Sequence, residues 1–346
     1  MKQIDFKHIK RLLIRSTNWI GDAVMTTPAI RAIRKHFPGA HISLLAKPWV
    51  APVFEYSEHV DRLLVYDAER RHKGFFGKFR MARDLKKYHF DAAILLQNAF
   101  EAAFISFLAG IPLRIGYNTD VRQLLLTHPV SCTNEIKKKH QAEYYLNILR
   151  GIGVEEDNRD LYLKLDQRDR FRAEKILSEQ HPSLGEKIIG INPGATYGPA
   201  KQWPLDRYAH LADRIQAFTE RPVIIFGGPK DINLGRYISQ RMQHRPVDLS
   251  GKTSLGEAMA LIEKCALFIT NDSGLMHVAA ALDVPLIAVF GSTNPVTTGP
   301  LSRHSRIVQA PLECSPCLRP ECPGGHLNCM DQISVEMVFN VVKEMV

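Results

Sequence analysis

The chain has 346 residues, of which 45% are hydrophobic and 23% are charged. This composition is ordinary for a globular protein with a buried core, and at roughly 150 residues per domain the length predicts two domains. A disordered chain and a small disulfide-dense protein are excluded. The net charge of +9 lies entirely in residues 1–165, which hold 26 basic and 17 acidic residues against 19 of each in 166–346. We therefore expect the first half to face an anionic partner.

The first half alternates short apolar runs with helical patterns. Its predicted strands are Arg11–Arg15, Ile42–Ala46, Arg62–Tyr66, Asp91–Leu96 and Leu113–Gly116. Helices are predicted over Asp22–His36 and Phe75–Tyr88, and Phe75, Phe76 and Phe79 are interpreted as the apolar stripe of the second. The apolar stretch 99–113 contains Glu101 and a Gly-Ile-Pro break, so it predicts a buried helix and a strand rather than a membrane span. Strand–helix alternation favours a parallel sheet covered on both faces.

The second half repeats this scheme after a polar, charge-dense segment, Asp157–Glu186, that we interpret as the linker. Its predicted strands are Lys187–Asn192, Pro222–Phe226, Leu267–Thr270 and Pro285–Phe290, and its predicted helices are Leu205–Phe218, one from about Asp231, Leu255–Lys264 and Gly274–Leu282. We expect an α/β protein with two doubly wound Rossmann-like domains, 1–165 and 175–333, facing each other across a cleft. The final helix, 334–346, is expected to pack back on the first domain. Ligands of such sheets bind at the carboxyl ends of strands.

The loop after the first strand ends in Gly21 and Asp22. As the opening residue of a helix, Asp22 would be stabilised by the helix dipole. The alternative function is that of a general base that takes the proton of an acceptor hydroxyl. The loop has no GxGxxG pattern, which argues against a dinucleotide-binding turn.

Two loops of the second half have the composition of phosphate sites. The Gly/Pro-rich loop 192–204 offers backbone amides, the Thr196 hydroxyl and the Lys201 ammonium, without the Gly-Lys-Ser/Thr pairing of a Walker loop. In 270–277, Ser273 and Gly274 would present amides at a helix start, as a pyrophosphate requires. Asp272 beside them would bind a cation, a ribose hydroxyl or the loop itself. His277 is either a core histidine or a ligand contact.

Four cysteines, Cys314, Cys317, Cys322 and Cys329, fall within 16 residues, with His326 among them. The spacing is compatible with a structural zinc site or, less well, an iron–sulfur cluster; buried free thiols and a redox pair are the alternatives.

Besides the overall charge imbalance, the first half contains a local basic run between Arg70 and Lys87. It is either a solvated helix face or, through the loop residues Arg70, Arg71 and Lys73, a site for phosphate or carboxylate groups. It lacks the interleaved aromatic pattern of a surface that binds single-stranded nucleic acid.

Taken together, these motifs resemble the bacterial ADP-heptose:lipopolysaccharide heptosyltransferases. The resemblance rests on residues 18–22 with Thr26-Thr27-Pro28, on 193–204 and on 271–277, and the cysteine segment 314–330 resembles the type II members in particular. It implies a GT-B glycosyltransferase that binds its acceptor on the N-terminal domain and its nucleotide-sugar on the C-terminal domain. It also implies inversion at the anomeric carbon, with no cofactor required for catalysis.

The resemblance also implies roles for individual residues. Asp22 would be the base and Asn18 an acceptor contact, while Lys201 and the helix start at Gly274 would stabilise the ADP leaving group in place of a divalent metal. The remaining donor-site residues would be Thr196, Asp231, Asp272, Ser273 and His277. One position departs from the family pattern: the type I enzyme has a glutamate after the Gly-Gly of this strand end that contacts the ribose, whereas here Gly227-Gly228 is followed by Pro229-Lys230-Asp231, with Asp231 as a substitute for it.

The function implied is transfer of L-glycero-D-manno-heptose from ADP-heptose to the first heptose of the lipopolysaccharide inner core. The acceptor carries carboxylates of the 3-deoxy-octulosonate sugar Kdo and lipid A phosphates, which suits a basic acceptor domain. We expect a cytoplasmic protein in peripheral contact with the inner membrane and no nucleic-acid partner, since no signal peptide is apparent. The alternatives are transfer of the first or a later heptose, a GT-B-fold epimerase, and a binding module for anionic lipid or RNA. Two phosphate loops in the neutral half count against the last.

Overall fold

Each half of the chain folds around a six-stranded parallel sheet. The computed structural model describes residues 8–180 and 187–346 and divides into two units, Met1–Lys164 and Leu165–Val346. The strands of the first unit are β1 (Arg11–Arg15), β2 (His41–Ala46), β3 (Arg62–Val65), β4 (Ala92–Leu95), β5 (Leu113–Tyr117) and β6 (His128–Val130). Those of the second are β7 (Ile188–Asn192), β8 (Val223–Ile225), β9 (Val247–Asp248), β10 (Cys265–Asn271), β11 (Leu286–Phe290) and β12 (Ser305–Gln309).

Helices connect the strands in both units. Those of the first unit are α1 (Ile20–Met25), α2 (Thr27–His36), α3 (Gly74–Lys86), α4 (Phe100–Leu108), α5 (Asn134–Lys138) and α6 (Gln141–Arg150). Those of the second are α7 (Gln167–Gln180), α8 (Leu205–Thr219), α9 (Ile232–Arg241), α10 (Leu255–Glu263), α11 (Gly274–Ala281), α12 (Pro295–Thr298), α13 (Asn328–Asp331) and α14 (Val335–Met345). Among the residues described, no helix is long and apolar enough to span a membrane.

The two sheets have the same topology. Their strand orders are β3-β2-β1-β4-β5-β6 and β12-β11-β10-β7-β8-β9. In each sheet the first and fourth strands of the unit lie side by side, and the following strands are added outward from them on opposite sides. Such a switch point opens a crevice beyond the carboxyl ends of the two strands. The expected loop sites therefore follow β1 in one unit and β7 and β10 in the other, as the doubly wound fold requires.

The predicted single helix Asp22–His36 is two helices, α1 and α2. Pro28 lies in the first turn of α2 and has no N–H to continue the hydrogen bonds of α1. The Thr27 hydroxyl instead donates to the Val24 carbonyl at 2.7 Å. This break ends α1 after six residues, with Asp22 in its first turn.

The aromatic residues of α3 are exposed, contrary to their interpretation as its packing stripe. The helix buries the opposite side, through Gly77, Met81, Ala82 and Leu85. Gly77 sets this orientation, because a Cβ there would lie 2.0 Å from the His72 carbonyl oxygen. Phe75, Phe76 and Phe79 are consequently 60%, 80% and 42% exposed.

Two segments differ from the expected domain plan. Part of the predicted linker is helix α7, whose Arg170 makes a bidentate ion pair with Glu263 of α10 at 2.7 Å; residues 181–186 of that linker lie outside the described residues. The final helix α14, expected on the first domain, packs in the second unit. Its apolar stripe of Val338, Phe339 and Val342 is buried in the core beside β7, β10 and β11.

Candidate active-site residues in each unit

The carboxyl ends of β7 and β10 are joined by side-chain hydrogen bonds. Asn192, the last residue of β7, donates through Nδ2 to the Thr270 hydroxyl at 3.0 Å and to the Ser273 hydroxyl at 2.9 Å. The loop that follows β10 is thereby held against the end of β7. The two loops that the sequence identified as candidate phosphate sites, 192–204 and 270–277, are brought together at this switch point.

Asn271, at the end of β10, makes further hydrogen bonds to the loop that follows β7 and to α8. Its Oδ1 accepts hydrogen bonds from the Trp203 amide at 3.1 Å and the Tyr208 hydroxyl at 3.0 Å, and its Nδ2 donates to the Pro193 carbonyl at 2.8 Å. Asn271 and Tyr208 are fully buried. Burial raises the pKa of Tyr208, so its hydroxyl remains a donor. A buried polar network with its bonds satisfied fixes one loop conformation.

This network positions an ion pair between Lys201 and Asp272. The Lys201 Nζ lies 2.6 Å from Asp272 Oδ2, and the two side chains are 12% and 5% exposed. The Thr298 hydroxyl donates to the same carboxylate oxygen at 3.3 Å, and the Tyr197 ring centroid lies 4.8 Å from Nζ. The sequence left several roles open for Asp272, and the structure shows that it holds Lys201.

Helix α11 begins beside this pair. The Ser273 hydroxyl accepts a hydrogen bond from the Met276 amide at 3.3 Å and so caps the helix, rather than being left for a ligand. The amides from Gly274 onward form the helix start, where the helix dipole attracts an anion. Because Lys201 neutralises Asp272, a carboxylate at this position does not prevent a phosphate from approaching. His277 lies on the buried side of α11.

Asp231 and Thr196 occupy two further loops of this sheet edge. The Asp231 carboxylate accepts the Gly228 amide at 2.8 Å and lies against Gly194, where a Cβ would come within 2.8 Å of it. The loops after β7 and β8 therefore meet at Asp231. Thr196 is exposed on the loop after β7.

The cysteine segment packs on the Lys201 loop. The Pro320 carbonyl accepts the Ala200 amide at 3.0 Å, and the Leu318 carbonyl accepts the Tyr197 hydroxyl at 2.9 Å. Backbone amides, that of Leu327 foremost, lower the pKa of Cys322, and burial raises that of Cys329.

All four cysteines of this segment, Cys314, Cys317, Cys322 and Cys329, are free thiols. Within the part of the chain that the structure describes, no three histidine, cysteine or acidic side chains are arranged to hold a metal. A structural zinc at these cysteines stays a prediction. Apart from its resemblance to the type II members, the sequence gave no sign that this segment supports the Lys201 loop.

In the first unit, Asp22 receives a hydrogen bond from a residue that the sequence did not indicate. The hydroxyl of Tyr145, on α6, donates to Asp22 Oδ1 at 2.9 Å. Burial, and secondarily Asp22 itself, raises the pKa of Tyr145 well above its ordinary value, so the hydroxyl stays protonated. The two residues are 123 positions apart, and neither α6 nor a polar role for Tyr145 was predicted.

The predicted acceptor residues fall into two groups. The Asn18 side chain accepts a hydrogen bond from Arg15, at the end of β1, at 3.1 Å. Arg70, Arg71 and Lys73 lie exposed between β3 and α3. Arg71 is already paired with Asp84 of α3 at 2.5 Å, which leaves Arg70 and Lys73 as the cations of this turn whose charge is more available.

Known proteins resemble the chain over most of its length. Residues 78–328 match glycosyltransferase family 9 (heptosyltransferase). The lipooligosaccharide heptosyltransferase 2 of Haemophilus influenzae is 31% identical, over 96% of this chain and 99% of that protein. A family 9 glycosyl transferase from Veillonella parvula superposes with a TM-score of 0.87 at 28% identity, covering 97% of both chains. The ADP-heptose heptosyltransferase II of Escherichia coli gives a TM-score of 0.82 at 26% identity, over 97% of this chain and 98% of that one.

Proposed function

The chain belongs to glycosyltransferase family 9, the heptosyltransferases, and we propose that it transfers L-glycero-D-manno-heptose from ADP-heptose to the first heptose of the lipopolysaccharide inner core. The observation that carries this proposal is the buried Lys201–Asp272 pair beside the start of α11. It combines a cation and helix-start amides, which are the groups that a leaving diphosphate requires. The expected GT-B class of two doubly wound units agrees with the fold.

The proposed reaction is a single displacement with inversion at the anomeric carbon of the heptose. The acceptor hydroxyl oxygen forms the new bond to that carbon while the bond from the carbon to the β-phosphate oxygen breaks. Asp22 takes the hydroxyl proton, and ADP leaves with the bonding electron pair. No cofactor enters this scheme, since protein groups supply both the base and the stabilisation of the leaving group.

The donor is proposed to bind along the carboxyl edge of the second sheet. Lys201 and the first amides of α11 would face the diphosphate, with Thr196 as a further hydroxyl donor. Asp231 would contact the ribose, because a carboxylate accepts hydrogen bonds from hydroxyl groups. Asp272 and Ser273 support this site indirectly, one by holding Lys201 and the other by capping α11.

The most specific part of the proposal is the identity of the acceptor, and it is tested by comparing acceptors. Purified protein is incubated with ADP-heptose and Kdo-lipid A that carries no heptose, one heptose or two. We expect ADP release only with the acceptor that carries one. Release with none or with two would assign the chain to the first or to a later transfer step, and release of a free or epimerised sugar without acceptor would indicate an epimerase.

A lipid-linked acceptor further implies contact with the cytoplasmic face of the inner membrane, and α3 and α4 offer a surface for it. The ring of Phe75 lies 5.2 Å from that of Phe79, which lies 6.0 Å from Phe104, which in turn lies 5.9 Å from Phe100. Phe76 extends this chain of rings at 6.0 Å from Phe75. An exposed contiguous aromatic patch of this kind marks an interaction site.

The surface around these rings is cationic. Arg83 and Lys86 follow Phe75 and Phe79 at helical spacing along the exposed side of α3, and Lys73 precedes the helix. Aromatic rings with basic neighbours fit an anionic bilayer, into which the rings insert while the cations contact lipid phosphates. Charge complementarity therefore favours an anionic membrane over an apolar protein partner.

We expect the triple variant Phe75→Ser/Phe76→Ser/Phe79→Ser to bind vesicles that contain phosphatidylglycerol at least tenfold more weakly than the wild type. Burying one phenylalanine contributes about 1.5–3 kcal/mol, and 1.4 kcal/mol is tenfold in affinity. Vesicle co-sedimentation measures this, with Phe171→Ser, which removes an exposed ring of α7, as the matched control. Transfer to a lipid-free heptosyl-Kdo acceptor should be unchanged. Equal binding by the triple variant would remove this face as the membrane contact.

A further inference from the structure

Three buried side chains meet the carboxyl edge of the first sheet at neighbouring strands. Arg15 ends β1, Lys47 follows β2 and Tyr66 follows β3; all three are buried. These strands are adjacent in the sheet, and this is the edge from which the Asp22 loop leaves β1. Two cations thus lie together at the edge where a doubly wound unit binds its ligand.

The guanidinium of Arg15 is largely committed to the protein. It donates to the Ser16 carbonyl at 2.7 Å, to the Leu45 carbonyl at 3.1 Å and to Asn18 Oδ1 at 3.1 Å. Burial lowers the pKa of Arg15 to about 10, so it remains charged at neutral pH. Its function on this evidence is to fix the loop and to contribute a permanent positive charge.

Lys47 is different, because the residue is almost entirely buried while its ammonium has no polar partner among the described residues. Lys47 is 7% exposed, and its Nζ lies 4.0 Å from the centroid of the Tyr66 ring and 5.9 Å from that of Trp49. The Nζ atom makes no hydrogen bond or ion pair with any other described residue, whereas the Lys47 carbonyl accepts the amides of Val50 and Ala51. An ammonium carries three donors, and ring contacts of this kind offset only part of the cost of burying an unpaired charge.

The charges that act on Lys47 show that its ammonium lacks an anionic partner in contact. Burial and then Arg15 lower its pKa, and Glu101, Glu69 and Asp67 act in the opposite direction from beyond contact distance. Glu101 is engaged by Lys78 at 3.5 Å and by the Tyr66 hydroxyl. None of these acidic groups therefore contacts Arg15 or Lys47. Two neighbouring cations without a contacting carboxylate are complementary to a bound oxyanion.

The neighbouring aromatic residues suit a sugar that carries such a group. Trp49 is 44% exposed, and its indole nitrogen donates to the Asn18 carbonyl at 2.8 Å. This bond joins the Lys47 segment to the loop that leads into α1 and Asp22. A partly exposed ring beside a buried cation offers an apolar face for a sugar ring and a charge for its substituent.

We propose that Lys47, supported by Arg15, Tyr66 and Trp49, binds a carboxylate or phosphate group of the sugar acceptor. This inference rests on the proposed function, because the anion belongs to the acceptor of the same reaction. It adds a residue that lies outside the exposed basic turn at Arg70, Arg71 and Lys73. The shared chemistry is that of an oxyanion, and the acceptor has two sources of it, the Kdo carboxylates and the lipid A phosphates.

The test compares Lys47→Met and Lys47→Arg with Lys137→Met, which removes an exposed lysine of α5. We expect Lys47→Met to raise the KM for the heptosyl-Kdo-lipid A acceptor at least tenfold, because a charge-assisted contact is lost, while the KM for ADP-heptose stays unchanged. Lys47→Arg should retain part of the affinity, and Lys137→Met should behave like the wild type. An unchanged acceptor KM in Lys47→Met would overturn the proposal.

Two modified acceptors distinguish the sources of the anion. If the group is a phosphate, the wild type and Lys47→Met should have equal KM for the dephosphorylated acceptor. If it is a carboxylate, they should become equal only for the acceptor whose carboxyl groups are reduced. A difference that persists with both modified acceptors would overturn an oxyanion site.

Stability separates a ligand site from a structural cation. Removing an unpaired buried charge should leave the free energy of unfolding of Lys47→Met unchanged or raise it. A destabilised Lys47→Met with a normal acceptor KM would make Lys47 a structural residue and overturn the proposal.

Binding of soluble probes tests the site without turnover. Kdo or glucosamine 1-phosphate should raise the melting temperature of the wild type and of Lys47→Arg but not of Lys47→Met. If the wild type transfers no heptose, the proposed function fails and these shifts still decide the site. Equal shifts in all three proteins, or none in the wild type, would overturn it.

Discussion

Replacing Asp22 by asparagine is expected to lower the rate of heptose transfer by about 10²–10⁴-fold, the usual contribution of a general base. Asparagine keeps the shape of the side chain and its place at the start of α1, but it cannot take the acceptor proton. The hydrogen bond from the Tyr145 hydroxyl at 2.9 Å holds the carboxylate in one orientation. The loss should therefore appear in kcat rather than in the affinity for ADP-heptose.

The measurement is single-turnover release of ADP, with ADP binding followed by calorimetry as the control for an intact donor site. Every proposed donor residue lies in the second unit, so the Kd for ADP should stay within a factor of two or so of the wild-type value, well under one tenfold step of 1.4 kcal/mol. Transfer retained within tenfold would exclude Asp22 as the base and return it to the role of a helix-start residue.

Tyr145→Phe is the matched variant for the positioning role. It removes one hydroxyl from a buried site and should lower kcat by less than Asp22→Asn does. The double variant should be no slower than Asp22→Asn alone, because residues that act as a unit are not additive. Additive losses would mean that Tyr145 acts independently of Asp22, through packing of α6.

Lys201→Met should reduce both activity and stability, for two different reasons. Loss of the cation beside the leaving diphosphate is expected to lower kcat by about 10²–10³-fold, as for other electrostatic stabilisers of a transition state. The Asp272 carboxylate, 5% exposed, is then buried without its partner. Breaking a buried pair in this way typically costs about 3–5 kcal/mol of stability.

The double variant Lys201→Met/Asp272→Asn separates these two effects. With no charge left buried, most of the lost stability should return, because replacing both partners of a buried pair is far less costly than replacing one. The rate of transfer should stay low, since no cation faces the diphosphate. Urea unfolding and steady-state kinetics on the wild type, both single variants and the double variant complete the cycle.

A double variant that regains transfer along with stability would show that the pair is only structural. Asp272→Asn alone provides a further check. It leaves Lys201 charged and close to the start of α11, so it should retain more activity than Lys201→Met does. The opposite order would place the chemically important charge on Asp272.

Much of the fold follows from local sequence pattern. The central strands are short runs buried on both faces, so β1 over Arg11–Arg15 was predicted with its observed bounds, and α8 and α11 were predicted to within one residue at either end. Two of the elements that were missed are β9 and α6. The strand β9 has only two residues, whereas α6 buries one side through residues such as Tyr145 and Leu149 and was not assigned.

Two other incorrect predictions concern which surface covers the apolar side of an amphipathic helix. The exposed rings of α3 and the packing stripe of α14 are both apolar faces at helical spacing, and periodicity alone does not tell what covers a face. For α3 a close contact at Gly77 decided which side is buried. For α14 it was the core of the second unit that covered the stripe.

The sequence by itself assigned the candidate catalytic residues to one edge of each sheet. A doubly wound sheet gathers the loops after its strands at one edge, so Asp22, Lys201 and Asp272 could be assigned to strand-end loops from local pattern alone. The charge imbalance between the halves is likewise a property of composition, and it required no coordinates.

Only the tertiary structure decided the partners within those loops. Lys201 and Asp272 are 71 positions apart, and Asp22 and Tyr145 are 123 apart. Such pairs depend on the order of strands in the sheet and on how each helix is rotated against it, which no local pattern specifies. The same holds for Lys47, since a lysine after a buried strand is ordinary until packing against Tyr66 and Trp49 leaves its charge without a polar partner.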